Sequence, residues 1–469
     1  MLNEYLILLK SEWIIISIIF LLLFIKVGSK EWKNETLLYG INILLLFNLL
    51  AGFYNNVEGN LFNGMYHSSQ LILLEKNILN LGVYLVSLIA YPWLKEHKHL
   101  LEFYILLLST LLGMFFMISS GNLLIFYLGL ELSTIPLAAI ANFDLHKRQS
   151  SEAAMKLIIS SAFSSAILLF GVSILYGTTG SLSFYEISQH IYGNQLQVIA
   201  FILILAGFCF KISVVPFHLW TADVYEGAPA PVTAYLSVIS KTAVLFIFMS
   251  VMYTVFKTIA TQWYLMIFVL SIVTILIGNL FALRQNNLKR FLAFSSIAQV
   301  GFILLGLSGT SIMGIASVIY FLLIYLFSNL AAFGVITLVS AVANKETISD
   351  YKGFYKTNPF LSWVLAIALF SLAGVPPTAG FFGKFFLIMA GAERGNYIWV
   401  VFAAINMIIS FYYYLKVVKA IFMDPNDQPI ETISIPALPK LAMIICLAGM
   451  ILTGFFSWIY EYIYSLSNL

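Results

Sequence analysis

The chain has 469 residues, of which 61% are hydrophobic and only 10% charged, with a formal net charge of +3. A soluble chain carries about 25% charged residues, so this one needs lipid as its solvent, and a water-soluble catalytic globule is excluded. Nucleic-acid binding is excluded too, because no basic cluster sits in a segment long enough to fold in water.

The first apolar run, Trp13 to Ile25, lacks a basic leader and a small-residue cleavage site, so it is expected to be retained as the first span. Apolar runs of the length that crosses a bilayer core then predict spans at 13–26, 37–53, 71–94, 101–120, 122–143, 153–177, 197–217, 229–256, 262–283, 288–308, 313–343, 361–392, 397–423 and 437–464. The expected fold class is an all-α polytopic membrane protein of about fourteen transmembrane helices with short loops. Cys209 and Cys446 lie inside apolar runs and read as packing residues, and no Cys or His cluster suggests a metal, haem or iron–sulfur site.

Two spans are interrupted. Span seven reads Gly207-Phe-Cys-Phe-Lys211-Ile-Ser-Val-Val-Pro216-Phe-His218, and span twelve reads Gly374-Val-Pro376-Pro377-Thr-Ala-Gly380-Phe-Phe-Gly383-Lys384. Proline removes a backbone donor and clashes with the preceding turn, and unwound backbone at membrane depth is tolerated only inside protein or beside a wet cavity. Broken segments at corresponding positions mark a duplicated transporter fold. Spans 4–8 and 9–13 are therefore expected to be two inverted five-helix repeats, giving units at residues 1–95, 96–257, 258–423 and 424–469.

Lysine and arginine set the orientation. Sixteen of the 24 fall in or beside loops after odd-numbered spans, among them Lys26, Lys30, Lys33, Lys147, Arg148, Lys289 and Arg290. Only Lys10, Lys76, Lys257 and Arg394 fall on the other side. The positive-inside rule then places both termini outside, so a label near Asn468 is expected to be reachable from outside and one at Asn286 not.

Four lysines remain inside spans: Lys156, Lys211, Lys241 and Lys384, with Glu131 as the carboxylate firmly within a span. Each such charge costs about 2.5–3.5 kcal/mol on insertion scales. A lone lysine could snorkel to an interface, but four on four spans point to a hydrophilic track. Buried lysines take and release protons at moderate pH, because desolvation disfavours the ammonium form.

The stretch from Phe210 to Lys241, with Pro216-Phe-His218-Leu-Trp220-Thr-Ala-Asp223-Val-Tyr225-Glu226-Gly227-Ala-Pro229-Ala-Pro231, closely resembles the antiporter-like membrane subunits of respiratory complex I. Within them, Asp-Val-Tyr-Glu-Gly-Ala-Pro is similar to subunit N (subunit 2) of NADH:quinone oxidoreductase. Glu152-Ala-Ala-Met-Lys156, the run from Leu288 through Ser295-Ser296-Ile-Ala-Gln299-Val-Gly301, and the Pro376-Pro377 to Lys384 segment resemble the same group. The likeness covers roughly residues 100–425, while the first hundred match only in hydropathy. The chain's end at Leu469, without the long lateral helix of subunit L, agrees with an N-type subunit.

The resemblance implies proton translocation, with Glu131 modulating the channel, Lys156 as its partner, Lys211 central, Lys241 connecting the halves and Lys384 near the exit. Gln299 stands where many relatives carry histidine and cannot itself carry a proton at neutral pH. A glutamate at 384, as in subunit M, is expected to keep part of the function. Ser295, Ser296, Gln299 and Asn329 are expected to hold water between the lysines. His218, Trp220, Asp223 and Glu226 are expected to face water or a neighbouring subunit, and Tyr412, Tyr413 and Tyr414 to pack.

No cofactor is expected in this chain. Quinone, NAD, flavin and iron–sulfur clusters belong to expected partner subunits, with an M-type neighbour and small subunits in the membrane arm. The expected location is a bacterial inner membrane. Rival readings are a multi-subunit cation/proton antiporter, a ferredoxin- or hydrogenase-linked relative of complex I, and a non-conducting structural subunit.

Overall fold

The computed structural model describes residues 2–28, 32–54, 56–309, 311–393, 395 and 397–467; Lys30, Arg394 and Asn468 lie outside them. Among the described residues twelve helices are long and apolar enough to cross a membrane. The two further expected spans correspond to Lys10–Val27, which carries three charged side chains, and to the pair Pro359–Ala373 and Ala379–Ala392, each short for a crossing on its own. Length and apolarity alone therefore reach twelve rather than fourteen.

Asparagine and serine start several helices. The side chains of Asn122, Asn194 and Asn287 accept from Ile125 N, Gln197 N and Lys289 N at 2.8–2.9 Å, and Ser69 accepts from Ile72 N at 3.3 Å. Each supplies an acceptor to an orphan donor of the first turn. One small departure from an all-helical chain is the antiparallel hairpin Gly59–Leu61 and Tyr66–Ser68.

Loops gather at two ends. At one, the hairpin bonds to the 119–121 turn (His67 N to Ser119 O, 2.7 Å; Gly121 N to Met65 O, 2.8 Å), and Leu123 N bonds Leu182 O. At the other, Leu288 N bonds Glu346 O and Ile348 N bonds Asn286 O, both at 2.8 Å, while Trp93 donates to Asp144.

The helices Ala230–Thr254, Leu288–Leu307 and Ile312–Ala343 form the centre, with 94% of their apolar windows buried, against 33% for the peripheral Asn34–Ala51 and Val400–Phe422. Large apolar side chains such as Phe24, Phe47 and Phe163 are left outward, as expected where lipid is the solvent. The central helix expected over 229–256 is not uniform: a π turn at Leu236–Ser240 separates Ala230–Tyr235 from Lys241–Thr254. Nothing in its residues announces this turn.

Lys76 corrects the reading of the loops. It lies in the helix Gln70–Leu94, 1% exposed, paired at 2.6 Å with Glu12 of Lys10–Val27. Glu12 and Glu75 are also buried, so Glu131 is not alone as a carboxylate within the helical bundle.

Candidate functional site: a buried lysine track

Both expected helix breaks are present and built alike. The helix Gln195–Ile212 ends at Ser213 in the left-handed conformation, with Val214 N bonded to Cys209 O and Ser213 N to Phe210 O. The helix Pro359–Ala373 ends at the left-handed Gly374, with Val375 N bonded to Phe370 O and Gly374 N to Ser371 O. These are the paired bonds of a Schellman end. Proline follows three residues after each left-handed residue, at 216 and 377. The second half of the latter span comes so close that a Cβ on Gly380 would lie 1.7 Å from Ser371 O.

Lys211 precedes its break by two residues. Its ammonium donates to Thr134 Oγ1 at 3.0 Å and Ser161 Oγ at 2.5 Å. Thr134 is three residues after Glu131 on the helix Leu123–Ala141, so both share one face, and the Glu131 carboxylate lies within electrostatic range of Lys211.

Lys241 opens the helical segment that follows the π turn and is 2% exposed. It donates to Ser296 Oγ at 2.9 Å and sits 5.3 Å from the centre of the Tyr225 ring. Lys384, fully buried, donates to the carbonyls of Leu372 at 2.8 Å and Ala373 at 3.1 Å, with the Phe302 ring centre 5.0 Å away. Those carbonyls end the first half-helix, where the helix dipole favours a cation.

Among the described residues, none of these three lysines forms an ion pair. Their partners are hydroxyls, carbonyls and rings. A hydrogen bond to a charged group contributes about 1.5–3 kcal/mol, enough in one or two bonds to offset the insertion cost of about 2.5–3.5 kcal/mol. No carboxylate is clamped to Lys241 or Lys384, so losing a proton there strands no buried counter-charge, while Lys211 has Glu131 within range but not in contact. That is the chemistry a reversible proton store requires.

Lys156 is held differently. It pairs with Asp223 at 2.6 Å and Glu152 at 2.8 Å, with 41% of its side chain exposed, rather than with Glu131 as expected. Arg290 pairs with Asp223 and Glu226, each at 2.8 Å. Asp223 and Glu226, about a third exposed, are thus bound with Glu152 into a network of three carboxylates and two cations, Lys156 and Arg290, rather than simply facing water. His218 is buried beside the break.

The residue that hydropathy missed is Tyr414. Its hydroxyl contacts Ser295 Oγ and accepts from Gln299 Nε2 at 3.2 Å. Gln299 Nε2 also donates to Leu372 O at 2.8 Å, the carbonyl that Lys384 shares. Ser296, the partner of Lys241, is adjacent to Ser295, and Gln299 is one turn further along the same helix. Ser295, Tyr414, Gln299, the Leu372 carbonyl and Lys384 thus form a continuous polar chain, and Ser296, three residues before Gln299 on the same helix face, brings Lys241 to its edge. The run Tyr412-Tyr413-Tyr414 was its one sequence signal, and three consecutive tyrosines point in three directions around a helix.

The family model described as NADH:quinone oxidoreductase/Mrp antiporter, TM, matches residues 120–410. The chain is 47% identical to NADH-quinone oxidoreductase subunit N of Phocaeicola vulgatus over 94% of its own length and 93% of that protein's. In three dimensions it is similar to a chain of respiratory complex I from Thermus thermophilus with bound aureothin (TM-score 0.82, 27% identity, 96% and 98% of the two chains covered). It shares the fold of a chain of the Mrp complex from Dietzia sp. (TM-score 0.89, 19% identity, 100% and 97% covered). The chain belongs to the antiporter-like membrane subunit family of NADH:quinone oxidoreductases and Mrp antiporters, within its subunit N group.

Proposed function

We propose that this chain is a proton-translocating membrane-arm subunit of a complex I-type NADH:quinone oxidoreductase. The observation that carries this reading is the set of three enclosed lysines, Lys211, Lys241 and Lys384, each held by neutral partners. Protons pass between them along hydroxyls, Gln299, Tyr414 and water. Gln299 Oε1 and Asn329 Oδ1 are buried acceptors with no protein donor, and buried acceptors of this kind take hydrogen bonds from water. Glu131 acts on Lys211 through its field. Lys156, fixed by Asp223 and Glu152, supplies a constant charge at the end of the path rather than a proton store.

The redox steps belong to partner subunits that carry NAD, flavin, iron–sulfur clusters and quinone, and an M-type neighbour continues the arm. The matching Schellman ends at Ser213 and Gly374 support two inverted five-helix repeats. The excess of basic residues on one set of loops supports both termini outside a bacterial inner membrane. The identity to subunit N favours this reading over a cation/proton antiporter, because the Mrp likeness is one of fold. The test is Lys211→Ala in the assembled complex: quinone-linked proton pumping falls sharply while assembly is normal, and pumping at the parental rate sinks the assignment.

A further inference from the structure

Two of the N-terminal helices, Lys10–Val27 and Gln70–Leu94, together with the strand Tyr66–Ser68, hold a second charged centre that the lysine track does not use. Glu12, Tyr66 and Lys76 close a triangle: Lys76 Nζ to Glu12 at 2.6 Å, Lys76 Nζ to Tyr66 Oη at 2.7 Å, and Tyr66 Oη to Glu12 at 2.9 Å. All three are at most 2% exposed. Lys76 is thereby committed to Glu12.

Its neighbour Glu75 is 5% exposed and, among the described residues, has no hydrogen bond and no ion pair. Its side chain lines a cavity of about 900 Å³. That cavity lies at the end of the bundle where the 59–68 hairpin, the 119–121 turn and the segment at 183–188 converge, opposite Asn286 and Glu346. Its wall is mixed: Glu58, His67, Gln70, Ser120 and Glu186 supply polar groups between apolar side chains such as Phe246. Glu75 is five residues into its helix, about 7.5 Å along the axis from the helix start.

A buried carboxylate without a counter-ion is costly, and a carboxyl that opens onto a cavity carrying polar groups in its wall can gain or lose a proton through it. We propose that Glu75 is a proton-binding site, separate from the lysine track, that exchanges with the medium on the hairpin side and senses the charge of the Glu12–Tyr66–Lys76 triangle. The step is the binding of one proton to one carboxylate oxygen, with no other bond changed. Lys76 on its own helix acts on it electrostatically, Glu12 is held through Lys76, and Glu58 and His67 from the hairpin segment and Glu186 from Phe184–His190 share the cavity wall with it. Burial holds His67 below the usual histidine range, partly opposed by Glu58. The packed segments bearing Ser120, Ser250, Thr254 and Ser465 add no charge to the wall.

Carbodiimide labelling of the intact complex in sealed membranes, mapped by mass spectrometry, tests this, since carbodiimides react with protonated carboxyls. Glu75 is expected to be labelled by a charged, membrane-impermeant carbodiimide added on the hairpin side and not on the side bearing Asn286. Labelling is expected to fall about tenfold per pH unit above its midpoint, as one titrating proton requires. At fixed pH it is expected to rise in Lys76→Gln, where Glu12 is left as an unmatched negative charge, and to fall in Glu12→Gln, where Lys76 is left unmatched. Both variants assemble less well if the triangle is merely structural, but only a coupled site moves the labelling in opposite directions. Absent or pH-independent labelling, equal access from both sides, or protection by sodium chloride against choline chloride at constant pH overturns the proposal. Because the readout is modification rather than pumping, it stands or falls apart from the lysine track.

Discussion

Lys384 and Gln299 donate to the same acceptor, the main-chain carbonyl of Leu372, each at 2.8 Å. One carbonyl at a broken helix end thus joins a side chain that can store a proton to one that cannot. The arrangement also changes what substitutions at 384 should do. The site is made of acceptors, so a carboxylate there would set its oxygens against two carbonyls. Lys384→Glu is therefore expected to lose coupling, contrary to the expectation from its residue type alone. Lys384→Arg keeps the donors but does not release a proton near neutral pH, so it is expected to assemble and fail to pump. Proton uptake by membranes energised with NADH and quinone measures both, and a pumping Lys384→Arg enzyme removes the residue as a proton store.

Lys211 rests on Thr134 and Ser161 rather than on a carboxylate. Ser161→Ala removes one of two hydrogen bonds to the ammonium, each worth about 1.5–3 kcal/mol. At a fixed pH near neutral this lowers its protonated fraction, so pumping is expected to fall severalfold and its pH dependence to move toward lower pH. Lys211→Met is expected to abolish pumping with normal assembly. Pump rates followed across pH separate the two, and an unchanged profile in Ser161→Ala contradicts the assigned geometry.

Glu131 shares its helix face with Thr134, one turn from the contact to Lys211. Its role is through charge, so Glu131→Asp is expected to keep much of the pumping rate and Glu131→Gln to lose most of it. Equal rates for the Gln variant and the parent enzyme leave Glu131 a structural residue.

Sidedness is measurable because the native thiols, Cys209 and Cys446, are buried. A cysteine at Asn63, in the hairpin turn, is expected to react with an impermeant maleimide added outside. One at Asn286, at the opposite end, is expected to react only after the membrane is opened. The reverse pattern inverts the proposed direction of the path.

Hydropathy and the cost of charge in lipid were enough to read the membrane class, the interrupted spans and the isolated lysines Lys211, Lys241 and Lys384. Those features are local: an apolar run, a proline, or a charge within twenty residues of its neighbours. Packing alone decided the partners. Lys76 looks like a loop residue near the polar start of its helix, yet it is buried because Glu12, 64 residues away, meets it. Tyr414 reaches Gln299 across 115 residues, and Lys156 turns to Asp223 rather than Glu131. Such pairings depend on which helix faces which, and on the rotation of each about its axis. A one-residue turn of about 100° sends a side chain to a different neighbour without altering hydropathy at all.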